Sequence, residues 1–95
     1  MTLNDEQLEQ VKDYAAALLP PAEIAILIGL TGDDCSQFVD MCRNHKTSAV
    51  YAAYQRGKLM TKYELRKTVI KLAKAGSPAA GPIVDGYIKE QNSKE

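Results

Sequence analysis

Between Ser48 and Ala75 the chain has no proline and a single glycine, Gly57, while its apolar residues recur at helical intervals. Any fold must therefore accommodate one helix of about 27 residues, roughly 40 Å long at 1.5 Å per residue. Thr47 or Ser48 supplies its cap and Gly76 its left-handed stop. A rod of that length exceeds what one small tri-helical core can cover. Gly57 lowers its intrinsic stability by about 1 kcal/mol relative to alanine, and marks either a kink or a close helix contact.

Three shorter helices are expected before this rod. Asn4 can cap the first, with Gln7 reaching back as in a capping box, and Leu8, Val11, Ala15, Leu18 and Leu19 form its apolar face up to Pro20. Proline cannot continue a helix but suits the start of one, so a second helix runs from Pro21 to about Ile28 and stops at Gly29. Thr31 with Asp34 is a further capping-box pattern, opening a third helix from about Gly32 to Asn44. In that helix Cys35, Phe38, Val39 and Cys42 make the inward stripe, and Ser36, Gln37, Asp40, Arg43 and Asn44 face out. After the rod, Ser77 and Pro78 restart the chain into a last helix through about Gln91, and residues 92–95 are expected to fray.

No stretch alternates with period two for long enough to be a strand, so the expected fold is all-α. It has a tri-helical, helix-turn-helix-like unit over 1–46, then a long helix and a short C-terminal helix over 47–95, forming one folding unit overall. The segment 21–30, Pro-Ala-Glu-Ile-Ala-Ile-Leu-Ile-Gly-Leu, carries the helix-turn-helix reading: it places Ala25 where two helices cross and Gly29 at the turn. Both positions need small residues on steric grounds. The longest apolar run, Ile24 to Ile28 followed by Gly29 and Leu30, is far short of a membrane span, and the acidic, polar N-terminus does not read as a signal peptide. A cytoplasmic protein is the expectation.

The formal net charge of zero conceals a split. Residues 1–40 hold eight acids against Lys12 alone, whereas residues 41–95 hold eleven bases against four acids. Within the rod, helical spacing puts Arg56, Lys67, Lys71 and Lys74 on one stripe able to follow a phosphate backbone, with Lys58, Lys62 and Arg66 elsewhere. Near the third helix the available bases are Arg43, Lys46 and His45, set against Asp33, Asp34 and Asp40. Apolar residues cover two sides of the rod: Tyr51, Leu65, Val69 and Leu72 on one, and Leu59, Tyr63 and Ile70 on the other. That breadth points to packing both on the domain and on a second copy of the chain.

Catalytic and metal chemistry have little to work with here. There is one histidine, no glycine-rich phosphate loop and no carboxylate pair within an apolar pattern. Cys35 and Cys42, seven apart on one helix, are separated by roughly 10 Å of rise and cannot form a disulfide. With His45 they offer only three soft ligands where a structural zinc takes four, so no metal and no cofactor are expected.

Two blocks together resemble the small terminase subunits of tailed bacteriophages and related short prophage proteins with a homeodomain-like helix-turn-helix. One is the 21–30 segment. The other joins Ala53-Tyr54-Gln55-Arg56-Gly57-Lys58 to Leu72-Ala73-Lys74-Ala75-Gly76-Ser77-Pro78-Ala79-Ala80, similar to the family's lead-in to a long helix and its turn into a last one. The resemblance implies a non-catalytic protein that binds double-stranded DNA at a packaging start site, assembles into a homo-oligomer and regulates a separate packaging ATPase large subunit. Such a protein would work in the cytoplasm of a bacterial or phage-infected cell. It implies DNA-facing positions at Ser36, Gln37, Arg43 and Asn44, joined by the nearby Lys46, and an assembly helix over Tyr51 to Lys74. Tyr51, Leu59, Tyr63, Leu65, Val69 and Leu72 are its expected contacts between copies. The chain departs from the family in its acidic third helix and in Gly81-Pro82 within the last. The competing expectation is a helical oligomerisation or protein-docking module that does not touch DNA; a transcriptional regulator comes third.

Overall fold

Helix ends, more than helix interiors, determine how this chain is cut into elements. The computed structural model describes residues 1–93 and contains α1 (Asp5–Ala16), α2 (Pro21–Leu27), α3 (Asp33–Asn44), α4 (Ala49–Lys74) and α5 (Ala80–Ser93). There is no strand among the described residues, and the fold is all-α. Among the described residues no helix is long and apolar enough to cross a membrane.

Asn4 caps α1 in a reciprocal box: the Gln7 amide donates to Asn4 Oδ1 at 2.8 Å, and the Asn4 amide donates to Gln7 Oε1 at 3.1 Å. Ser48 does the corresponding work for α4, its Oγ accepting from the Tyr51 amide at 3.1 Å. Three helices then close in the same way. At the ends of α1, α2 and α4, the amides of Leu19, Leu30 and Ser77 donate to the carbonyls of Tyr14, Ala25 and Leu72. Inside these, Leu18, Gly29 and Gly76 donate to Ala15, Ile26 and Ala73. This is the Schellman arrangement, which satisfies otherwise free carbonyls and needs a left-handed residue at its centre. Gly29 (φ +89°) and Gly76 (φ +94°) meet that need without strain, whereas Leu18 (φ +64°) does so with a side chain.

Three expected signals are therefore corrected. α1 stops at Ala16, before Pro20, and Leu18 is the left-handed stop, with 55% of its surface exposed, not a member of the apolar face. The Thr31–Asp34 capping box does not form: Gly32 is the cap residue of α3 and provides no side-chain bond. The expected cap at Ser77-Pro78 becomes a turn, and α5 begins at Ala80. Gly81-Pro82 thus fall in its first turn, where a missing amide costs no helix bond. Of the residues expected to fray, Asn92 and Ser93 belong to α5, and 94–95 lie outside the described residues.

The chain divides into two compact units, Met1–Thr61 and Lys62–Glu95. The first takes in α1, α2, α3 and the opening turns of α4. Val11, Ile24, Ala25, Phe38 and Cys42 are fully buried at its centre, with Ala15, Ile28 and Val50 closing around them. Each large member contributes about 1.5–3 kcal/mol by leaving water. Gly57 is a close contact rather than a kink: a β-carbon there would stand 2.1 Å from the Lys12 carbonyl oxygen. One turn on, the Thr61 hydroxyl donates to the carbonyl of Ala16, satisfying the end of α1. The expected inward stripe of α3 is graded, with Phe38 and Cys42 buried and Cys35 and Val39 only half so.

In the second unit α5 packs beside the remaining length of α4. The Arg66 guanidinium donates to Glu90 at 2.7 Å and lies 4.2 Å from the centre of the Tyr87 ring. Lys62 reaches the same carboxylate at 3.5 Å. Ala80 is buried where the turn brings α5 back.

Candidate nucleic-acid interface

The crossing of α2 and α3 fixes which side of α3 meets solvent. With Phe38 and Cys42 turned into the core, Ser36, Gln37, Arg43 and Asn44 are all exposed, as is Lys46 in the loop beyond. Asn44 is already engaged: its Nδ2 donates to Asp40 Oδ1 at 2.7 Å, while His45 Nε2 lies 2.7 Å from Asp40 Oδ2. The hydrogen bonds from Asn44 and His45 hold the Asp40 carboxyl below the usual carboxylate range. Asp33 and Asp34 sit in the first turn of α3, where the helix dipole favours them. The N-terminal half of the exposed face is therefore negative, and the side chains free to reach outward are Ser36, Gln37 and Arg43.

Arg43 does not stand alone. It lines a cleft of about 260 Å³ together with Lys58 and Tyr54 of α4, Leu18 and Leu19 from the turn after α1, and Pro21 at the start of α2. The Lys58 ammonium lies 5.6 Å from the Tyr54 ring centre. Helical angle alone had separated Lys58 from the cationic stripe of α4, and that reading missed it. Only packing of α4 against α1 brings it beside a residue of α3, so no spacing in the sequence signals the pair. Arg56, also in this unit, is exposed.

In the second unit the cations are sorted by partner. Lys62 and Arg66 share the Glu90 carboxylate, whereas Lys67, Lys71 and Lys74 have no carboxylate partner among the described residues. These three line one open concavity of about 450 Å³ with Thr68 and Ile70. Lys67 also lies 5.2 Å from the centre of the Tyr63 ring. Nearby, Tyr63, Ile70, Val84, Tyr87 and Ile88 border a second apolar hollow of about 350 Å³.

Of the residues expected between copies, Tyr63, Leu65 and Leu72 are more than half exposed in the second unit, and Leu59 is half exposed in the first. Val69 and Tyr51 are half-buried. Among the described residues no three of His, Cys, Asp and Glu converge as metal ligands. Cys42 lies in the core, and burial pushes its thiol up to about 12. No protein-family model matches this chain, and no curated protein or solved structure is detectably similar to it.

Proposed function

We propose that the chain is a non-catalytic, self-assembling DNA-binding protein of the small-terminase kind, with α2 and α3 as a homeodomain-like helix-turn-helix and α3 as the helix that faces the duplex. The second unit supplies phosphate contacts through Lys67, Lys71 and Lys74 and contacts between copies through Tyr63, Leu65 and Leu72. A packaging ATPase large subunit, in the cytoplasm of the host cell, would be its working partner. The observation that carries this reading is the sorting of cations on the part of α4 in the second unit: Lys62 and Arg66 share the Glu90 carboxylate, and the three lysines beyond them, Lys67, Lys71 and Lys74, share one face. Unneutralised cations in a row gain most from releasing the counterions of a polyanion. Fully buried Ala25 and left-handed Gly29 support the helix-turn-helix, since both give the close crossing and tight turn such a pair requires.

The test is fluorescence anisotropy with a labelled duplex. Replacing Lys67, Lys71 and Lys74 by glutamine should weaken binding while leaving the helical signal intact, and unchanged affinity would remove this face from the site. A second reading, a docking module that leaves DNA alone, is favoured by one specific observation: Asp33, Asp34 and Asp40 occupy the exposed side of α3. Absence of any salt-sensitive DNA binding would establish it over the first.

A further inference from the structure

The cleft of the first unit combines features that no structural role requires. Arg43 and Lys58 come from different helices, and both line the same concave surface. Neither has a carboxylate partner among the described residues, and no carboxylate lines the cleft. They do so in a unit rich in acids, where α1 and α3 carry Asp5, Glu6, Glu9, Asp13, Asp33, Asp34 and Asp40. Convergence of two like charges is unfavourable, and a nearby acid could have been used to relieve it. Asp40 instead spends its hydrogen bonds on Asn44 and His45.

The walls say what the occupant looks like. Leu18, Leu19 and Pro21 give an apolar floor, and Tyr54 presents an aromatic ring whose neighbour Lys58 is already held over it. Leu18 reaches the rim only because the chain tolerates a left-handed leucine there, and strain of this kind persists where the surroundings impose it. At about 260 Å³ the cleft is smaller than the roughly 300–1,000 Å³ of sites that enclose a whole small molecule. It suits one anionic group and the apolar part joined to it. A guanidinium offers a planar fork and an ammonium a point charge, the pairing suited to phosphate oxygens.

We infer that this cleft is a phosphate-binding site, its occupant a single phosphodiester of a DNA backbone with the adjoining sugar against the Leu18–Pro21 floor. The inference rests on the DNA-binding reading and adds to it a site assembled from α3, α4 and the α1–α2 turn. It makes Lys58 a backbone anchor and Arg43 a positioning contact rather than a base reader.

The wild-type chain and its Arg43→Gln, Lys58→Gln and Gln37→Ala variants would be titrated with labelled duplexes of unrelated sequence across a salt series, with thermal melts checking that each variant folds. A parallel arm follows the wild type by NMR during addition of a nucleoside monophosphate. Each of the two cleft variants should weaken binding equally for different sequences and lower the log-log salt slope by about 1, while Gln37→Ala leaves the slope unchanged. Unchanged slopes in folded Arg43→Gln and Lys58→Gln proteins that still bind duplex would overturn the inference but not the DNA reading. If the wild type binds no duplex, the DNA reading falls and the monophosphate decides. Millimolar shifts at Arg43, Tyr54 and Lys58 would then keep the cleft as a site for a free phosphate ester; their absence would remove it.

Discussion

Gly57 and Lys12 meet backbone to backbone: a β-carbon on Gly57 would lie 2.1 Å from the Lys12 carbonyl oxygen and 3.1 Å from the Ala15 β-carbon. This contact decides how α4 lies on α1, and so where Lys58 and Tyr54 stand relative to α3. In an isolated helix, Gly57→Ala would be stabilising by about 1 kcal/mol. Here it should destabilise by about 1–3 kcal/mol net, because two helix backbones must separate. Gly86 in α5 has nothing within 4 Å of its would-be β-carbon, so Gly86→Ala should stabilise by about 1 kcal/mol. Urea denaturation of the pair checks the contrast, and a stabilised Gly57→Ala would contradict the close contact.

The Leu18 turn yields the opposite kind of prediction. Its φ of +64° is costly for a residue with a β-carbon, and over half of its surface is exposed, so little burial would be lost on truncation. Leu18→Gly should raise stability by about 1 kcal/mol, read as a higher urea midpoint at constant slope. If Leu18 also lines a phosphate site, the same variant should bind duplex less tightly despite its greater stability.

These two positions also mark the limit of what the sequence discloses. Caps and stops with a local mechanism were legible: Asn4 with Gln7, Ser48, Gly29 and Gly76 all act through bonds within a few residues of themselves. So was the exposed side of α3, because Phe38 and Cys42 fix its rotation. Leu18 was misread because apolar periodicity ran on through a residue that had already left the helix, and Thr31–Asp34 because Gly32 took over the cap. Gly57 was recognised as special, but kink and contact are indistinguishable without its partner Lys12. The Arg43–Lys58 cleft was beyond reach for the same reason, since its members are joined only by tertiary packing.

Cys42 gives a pH signature. Burial raises its thiol from the ordinary 9.0 to about 12 in the folded chain. A raised thiol contributes stability that is fully present below pH 9 and is lost as pH rises towards 12. Thermal melts through that window should fall less steeply for Cys42→Ala than for the wild type. At pH 8 a thiol reagent should label half-buried Cys35 in the native chain and reach Cys42 only on unfolding. Rapid labelling of both would contradict the packed core.

Asp33 and Asp34 set a trade between folding and binding. At the start of α3 each stabilises the helix by about 0.3–1 kcal/mol through the dipole, yet both repel a phosphate backbone. The double change to asparagine should lower the melting temperature slightly and tighten duplex binding severalfold at low salt. Unchanged affinity would place α3 away from the DNA.

The mass of the wild-type chain in solution addresses assembly, and Leu65→Glu should reduce it if the exposed apolar residues of the second unit join copies. An unaltered mass would clear Leu65 of that role.

The central claim is that the chain grips a polyanion through unneutralised cations. A salt titration of duplex binding by the wild-type chain tests it most directly. The account predicts a straight fall of log affinity with log salt, its slope lowered by about 1 for each contacting cation replaced; no measurable binding at low salt, or binding indifferent to salt, would contradict it.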